Sequence, residues 1–347
     1  MKLEFKVLDL KKRFPLAISR GTYAGSENLF VGVSHEGYTG WGEMSPGASE
    51  GAASAEEGRR IIEDFLAVPL EPEDSVQSVY QRGRIEGVAP CALAALEMAL
   101  WDLLAKRAGL PLYRLLGLGR PTVPTSVTIG INPPEVVRER IPLLLDGTSI
   151  RSLKIKLGSP DGVDADRDMF QAVFEETRNR AVSLRVDANG GWSLDDARAM
   201  MKWLADRGVD YIEQPLPRGA EDQLPELFKN RALPVYVDES CRFAEDITAW
   251  ADAVDGVNLK LMKCGGITEA IRIVAVCRAF NLHTMIGCMG ESSMSISAGA
   301  AIGALFDHID LDSHLNLAPD PCTGAELRDG VLMPPDKPGH GAEFVDA

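Results

Sequence analysis

Histidine is scarce in this chain: five residues in 347 (His35, His283, His308, His314, His340), with no HxH or HExxH pair among them. A catalytic zinc, which draws on such clusters, is therefore not expected. Cysteine offers no substitute. The six residues (Cys91, Cys241, Cys264, Cys277, Cys288, Cys322) form no CxxC and no zinc-like spacing, so free thiols in a reducing cytoplasm are expected. Long apolar runs are missing too, since no window reaches the ~20 uninterrupted apolar residues of a membrane span. The opening MKLEFKVLDLKKRF alternates apolar and charged residues and lacks a signal-peptide core. Cations are outnumbered, 36 Lys and Arg against 51 Asp and Glu, for a net charge of −15. That balance argues against nucleic acid, whose phosphates need clustered cations. It leaves a small-molecule substrate open, because the field in a cleft can oppose the global sign.

What is present is a rhythm. Residues 3–9 and 28–44 read as strands by alternation, the second region turning at His35-Glu36-Gly37, and 52–67 and 91–108 show helical periodicity. Strands followed by helices predict an α+β unit over residues 1–115. From about residue 116 the pattern becomes βα. β-like runs at 124–130, 151–157, 182–187, 209–213, 234–238, 256–261, 283–288 and 308–312 alternate with helical stretches. Eight such runs are what a closed parallel (β/α)8 barrel needs. The barrel is expected over 116–318, and the Pro- and Gly-rich tail 319–347 is expected to pack back on the first, capping domain.

The charged residues follow the same beat. Lys154 and Lys156 are followed by Asp187, Glu213, Asp238 and Lys260, at intervals of 31, 26, 25 and 22 residues counted from Lys156. Each lies in, or at the downstream end of, a β-like run, where barrel chemistry collects. Three acids on neighbouring strands, with no histidine, suit a hard divalent cation such as Mg²⁺. Lys154 and Lys156 share one strand face because side chains alternate. Lys260 comes from across the barrel. Desolvation and a second ammonium lower a lysine pKa toward general-base duty. A carbon held between Lys156 and Lys260 could lose a proton on one face and regain it on the other. Lys263, in a segment already leaving its strand, is not expected to be catalytic.

The segments LKIKLG, RVDANGGW, YIEQPL, VDES and NLKLMKCGGI resemble the enolase superfamily, specifically its muconate-lactonizing-enzyme-like subgroup, and the resemblance covers essentially the whole chain. It implies a modified TIM barrel with a capping domain and one Mg²⁺ on Asp187, Glu213 and Asp238. It implies Lys156 and Lys260 as the acid/base pair, working through an ene-diolate, with Lys154 contacting the substrate carboxylate. It also implies assembly into symmetric homo-oligomers. On the eighth strand Asp310 and Asp312 lie one apart. Two carboxylates suit a free α-ammonium group, and this Asp-x-Asp pair resembles the signature of dipeptide epimerases. Arg20 resembles the arginine with which enzymes acting on L-Ala-D/L-Glu cover the site, with Gly21–Gly25 as a flexible lid. Thr128 and Cys288 match substrate-lining positions.

The expectation is thus a Mg²⁺-dependent dipeptide epimerase that inverts the Cα of the C-terminal residue, L-Ala-D/L-Glu being the leading substrate. Two other reactions of the subgroup, N-acylamino acid racemisation and muconate cycloisomerisation, stay open. Outside the subgroup, a Schiff-base aldolase and a catalytically inert scaffold barrel are the rivals.

Overall fold

The chain was described from a computed structural model, which covers residues 1–71 and 74–345. Alternation in the first 44 residues produces three antiparallel strands, β1 (Lys2–Ile18), β2 (Gly21–His35) and β3 (Tyr38–Met44), paired in chain order. The turn into β3 has Glu36 and Gly37 at φ 50° and 81°, the positive values a tight hairpin needs. β1 and β2 both exceed the expected bounds. Gly21–Gly25, expected as a flexible loop, is strand: Ile18 pairs with Gly21 and Lys11 with Gly25, across a register shift between Lys11 and Leu16. Pro15 falls within that shift, where a strand tolerates a residue lacking an N–H.

Helices α1 (Ala55–Phe65), α2 (Val76–Ile85), α3 (Pro90–Ala108) and the single turn α4 (Leu112–Leu115) complete this part. α3 is buried nearly all round and lies directly on β3. The approach is so close that a Cβ on Gly40 or Gly42 would stand 2.1 Å from the Ala99 or Ala95 carbonyl oxygen. Glycine at both positions is what lets the helix seat.

The eight expected runs become β4 (Val127–Ile129), β5 (Ser152–Lys156), β6 (Ser183–Asp187), β7 (Val209–Glu213), β8 (Val235–Val237), β9 (Gly256–Lys260), β10 (His283–Gly287) and β11 (His308–Asp310). All are parallel and adjacent in sequence order. The ring closes where Thr125 bridges Ile309 and Ser126 N–H donates to the Ile309 carbonyl at 2.9 Å. The outer layer comprises α5 (Pro134–Leu145), α6 (Val163–Thr177), α7 (Leu194–Ala205), α8 (Leu224–Lys229), α9 (Ala244–Trp250), α10 (Leu261–Cys264), α11 (Ile267–Ala279) and α12 (Ser293–Ala301). Among the described residues no helix is long and apolar enough to cross a membrane.

Two buried carboxylates join the first sheet and its helices to the barrel. Glu97 of α3 accepts N–H bonds from Ile267 (2.8 Å) and Thr268 (2.7 Å) at the start of α11. Glu43 of β3 accepts from Ser292 N (2.9 Å), Ser292 Oγ (2.6 Å) and Ser295 N (3.1 Å) at the start of α12. Helix N-termini carry unpaired N–H groups and partial positive charge, so each acid caps a helix of the other domain. The C-terminal segment reaches the first sheet: the Phe344 ring meets Phe30 and Trp41 edge-on at 5.3 and 4.9 Å.

Candidate active site

Parallel strands in register bring their last residues to one rim, so Asp187, Glu213 and Asp238 converge. One carboxylate oxygen from each lies within 4.8 Å of the others, and all three side chains are buried. This oxygen-only, anionic donor set fits a hard divalent cation. Four lysines surround it. Lys154 Nζ lies 2.7 Å from Glu213 and 3.5 Å from Asp187. Lys156 Nζ lies 2.6 Å from Asp187, and Lys260 Nζ 2.7 Å from Asp238. Lys263 pairs with the Asp238 carboxylate as well. It also donates to the carbonyls of Asp238 (2.5 Å), Asn258 (3.0 Å) and Cys241 (3.1 Å). With its donors spent on backbone, Lys263 braces the loop after β8 and faces no open space.

The electrostatics correct one expectation. Burial alone would lower the Lys154 and Lys260 pKa values, as the sequence suggested, but the carboxylates outweigh it. Asp310, Glu213 and Asp187 hold Lys154 well above its ordinary value, and Asp238 does the same for Lys260. Among the acids, burial would raise Asp187, yet Lys156 and Lys154 hold it down at about 2. Burial likewise opposes Asp238, which Lys260 and Lys263 keep well below the carboxylate range. Glu213 goes the other way. Burial, reinforced by neighbouring Asp187, pushes it up to about 8 against the pull of Lys154.

Asp310 and Asp312 differ in the partners they already hold. Asp310 is buried, with Ser126 Oγ donating to one oxygen (2.6 Å) and Lys154 Nζ to the other (2.7 Å). Asp312 is half-buried and accepts the Thr128 N–H at 2.6 Å through Oδ2. Its Oδ1 accepts from the Cys288 thiol at 3.9 Å. Thr128 and Cys288 therefore meet at Asp312, on the wall formed by β4, β10 and β11. Arg20 stands at the tip of the β1–β2 hairpin, over the rim. It does not reach the site floor: its guanidinium is taken by Glu239 (2.7 Å) and by the Asn189 carbonyl (3.0 Å).

Several residues were not anticipated. Asn258 donates to Glu213 at 2.7 Å, Gln214 accepts the Asp238 N–H at 2.9 Å, and Asn189 donates to both oxygens of Asp187 at 2.8 and 3.1 Å. Asn258 was within reach of sequence reasoning, lying two residues before Lys260 and hence on the same strand face. Ser126 bears the same relation to Thr128. Asn189 and Gln214 sit in loops at φ 43° and 37°, which no alternation rule locates. Beneath the charged rim, Tyr211, Tyr236, Met285, Arg185 and His308 fill the barrel, with Tyr211 and Tyr236 centroids 4.5 Å apart.

Comparison with known proteins matches this geometry. Residues 2–117 fit the N-terminal domain of mandelate racemase / muconate lactonizing enzyme, and residues 137–347 fit the enolase C-terminal domain-like family. A hydrophobic dipeptide epimerase of Roseobacter litoralis is 64% identical over all of both chains. Another from a Flavobacteria bacterium is 60% identical over 99% of this chain and 98% of its own. The crystal structure of a dipeptide epimerase from Enterococcus faecalis, complexed with Mg and L-Leu-L-Tyr, superposes with a TM-score of 0.89 at 31% identity over 98% of each chain. The chain belongs to the enolase superfamily, in its mandelate racemase / muconate lactonizing enzyme branch, and is an isomerase of the racemase and epimerase class.

Proposed function

We propose that this enzyme epimerises dipeptides at the Cα of the C-terminal residue, with Mg²⁺ as cofactor and hydrophobic dipeptides as the leading substrates. The observation that carries the reading is the pairing of a three-carboxylate cluster with lysines on opposite barrel walls. Lys156 ends β5 and Lys260 ends β9, four strands away in a ring of eight. Asp187, Glu213 and Asp238 would hold the cation. When bound, Mg²⁺ supplies positive charge at the substrate carboxylate, which lowers the cost of ionising the neighbouring Cα–H.

The remaining roles fall to the protein's own side chains. Lys156 and Lys260 flank the Cα, one removing a proton while the other returns one to the opposite face. Lys260, whose Nζ lies 2.7 Å from Asp238, faces the site from the wall opposite Lys156. Lys154, held between Glu213 and Asp310, supplies a fixed positive charge near the substrate carboxylate. Asp312, whose hydrogen bonds come from the neutral Thr128 N–H and Cys288 thiol while Asp310 is already paired with Lys154, is the better placed of the two strand-end aspartates to accept the substrate ammonium. Burial of the rim excludes water and strengthens each of these charge contacts.

The choice of hydrophobic dipeptides over L-Ala-D/L-Glu rests on the relatives at 64% and 60% identity, against 33% for an L-Ala-D/L-Glu epimerase of Bacteroides thetaiotaomicron. The engagement of Arg20 by Glu239 supports the same choice. Steady-state kcat/KM across L-Ala-L-X dipeptides tests it. Leu, Phe and Tyr at X are expected to exceed Glu, and a preference for Glu would return the reading to the acidic substrate.

A further inference from the structure

The β1–β2 hairpin projects beyond the first sheet and crosses the barrel mouth. Its hydrogen bonds there are with segments that follow the carboxyl ends of the barrel strands. Asn316, after β11, brackets Phe14 through Nδ2 to its carbonyl (2.8 Å) and Oδ1 from its N–H (3.0 Å). Ile131 N–H, after β4, donates to the Ala17 carbonyl at 2.8 Å. At the tip, Ser19 Oγ and Arg20 Nη1 both donate to the Asn189 carbonyl, at 2.9 and 3.0 Å. The second Arg20 nitrogen pairs with Glu239 Oε1 at 2.7 Å.

The two residues that receive the tip are neighbours of the acid cluster. Asn189 is buried and held at φ 43°, a backbone state that costs a non-glycine residue energy and persists only where its surroundings enforce it. There its carbonyl points up to the hairpin while its N–H and Nδ2 point down to Asp187. Glu239 adjoins Asp238, accepts a further bond from Asn189 Nδ2 at 3.4 Å, and is only 20% exposed. Its second oxygen is buried with no hydrogen-bond partner, so Arg20 is the cation that neutralises it.

We propose that Arg20 and Glu239 form a latch which closes the hairpin over the site and at the same time withholds the Arg20 guanidinium from an acidic substrate side chain. A charge-assisted pair at this distance, on a partly buried acceptor, must be broken before the guanidinium can serve another carboxylate. Glu239 is then a specificity-determining residue and Arg20 a positioning residue. The latch stands on the hairpin geometry alone, while the substrate consequence rests on the dipeptide epimerase reading.

Two measurements on Arg20→Gln, Glu239→Gln and the double variant separate these parts. In hydrogen–deuterium exchange of the intact enzyme, both single variants are expected to speed exchange at the hairpin tip by roughly tenfold, the loss of one charge-assisted bond. The double variant should be no faster than the singles. Unchanged exchange at the tip in both singles, or additive effects in the double, overturns the latch whatever the enzyme's substrate. In steady-state kinetics, Glu239→Gln is expected to raise the kcat/KM ratio of L-Ala-L-Glu to L-Ala-L-Leu by roughly tenfold, again the worth of one such bond. The gain should vanish in the double variant, where no guanidinium remains. A ratio that stays put in Glu239→Gln, with dipeptides turning over normally, overturns the specificity role. Turnover of no dipeptide by the wild type defeats that role together with the functional reading, and leaves the latch to the exchange data.

Discussion

Lys154, Lys156, Lys260 and Lys263 have the same charge and nearly the same burial, yet their surroundings divide them into different jobs. Lys263 spends its donors on three carbonyls and Asp238. Replacing it by Met leaves those carbonyls without their donor and Asp238 with Lys260 alone, so Lys263→Met should cost about 1–3 kcal/mol of stability, read from denaturant midpoints. Lys156 and Lys260 each touch one carboxylate and lie on facing walls, so their loss should register in turnover. Lys156→Ala and Lys260→Ala should each reduce epimerisation by at least ~10²-fold while leaving the denaturation midpoint close to wild type. A variant of either lysine with wild-type turnover in both directions would rule out two-base chemistry. At this scale the sequence was readable where alternation places residues on one face, as for Lys154 with Lys156. It was unreadable where partners come from distant strands. The Lys154 pKa is raised by Asp310, 156 residues away along the chain, together with Glu213 and Asp187, and Asp310 also accepts from Ser126, 184 residues before it.

Among the elements, the strands of the barrel were legible because each is a short apolar run with turn residues on either side. α2 was not foreseen. Its sequence VQSVYQRGRI is polar and contains Gly83, and its place is set by contact instead: a Cβ there would lie 2.6 Å from Leu93 of α3. The hairpin arm was likewise missed because its exposed residues 21–25 and Pro15 carry no strand signature, and barrel loops supply the partners that hold it. Domain contacts through helix caps invite a direct test. Glu97→Ala strips the start of α11 of its acceptor for two N–H groups and should destabilise the protein by about 1–3 kcal/mol. The check is the shift in urea midpoint at unchanged m-value.

For the molecule as a whole, the closed barrel partly buries titratable groups beneath the site, and this gives stability a pH dependence. Burial, aided by Arg185, lowers the His308 pKa to about 4, against an ordinary value of about 6.5. In the folded state the ring stays neutral, whereas the unfolded chain takes up a proton below about pH 6.5. Stability from this group is therefore present above that pH and is lost as pH falls toward 4. His308→Gln, which keeps a polar side chain facing Tyr236, should show a smaller drop in Tm between pH 7 and pH 5 than wild type. An equal drop would mean the ring is not held neutral.

The central claim is that the enzyme exchanges the Cα–H of a dipeptide's C-terminal residue. The most direct measurement is NMR of L-Ala-L-Leu, L-Ala-L-Glu and N-succinyl amino acids in D₂O with enzyme and Mg²⁺. The account predicts loss of the C-terminal Cα–H signal of L-Ala-L-Leu together with growth of the L,D epimer, and slower loss for L-Ala-L-Glu. Exchange confined to the N-succinyl amino acids, with every free-amine dipeptide untouched, would contradict it.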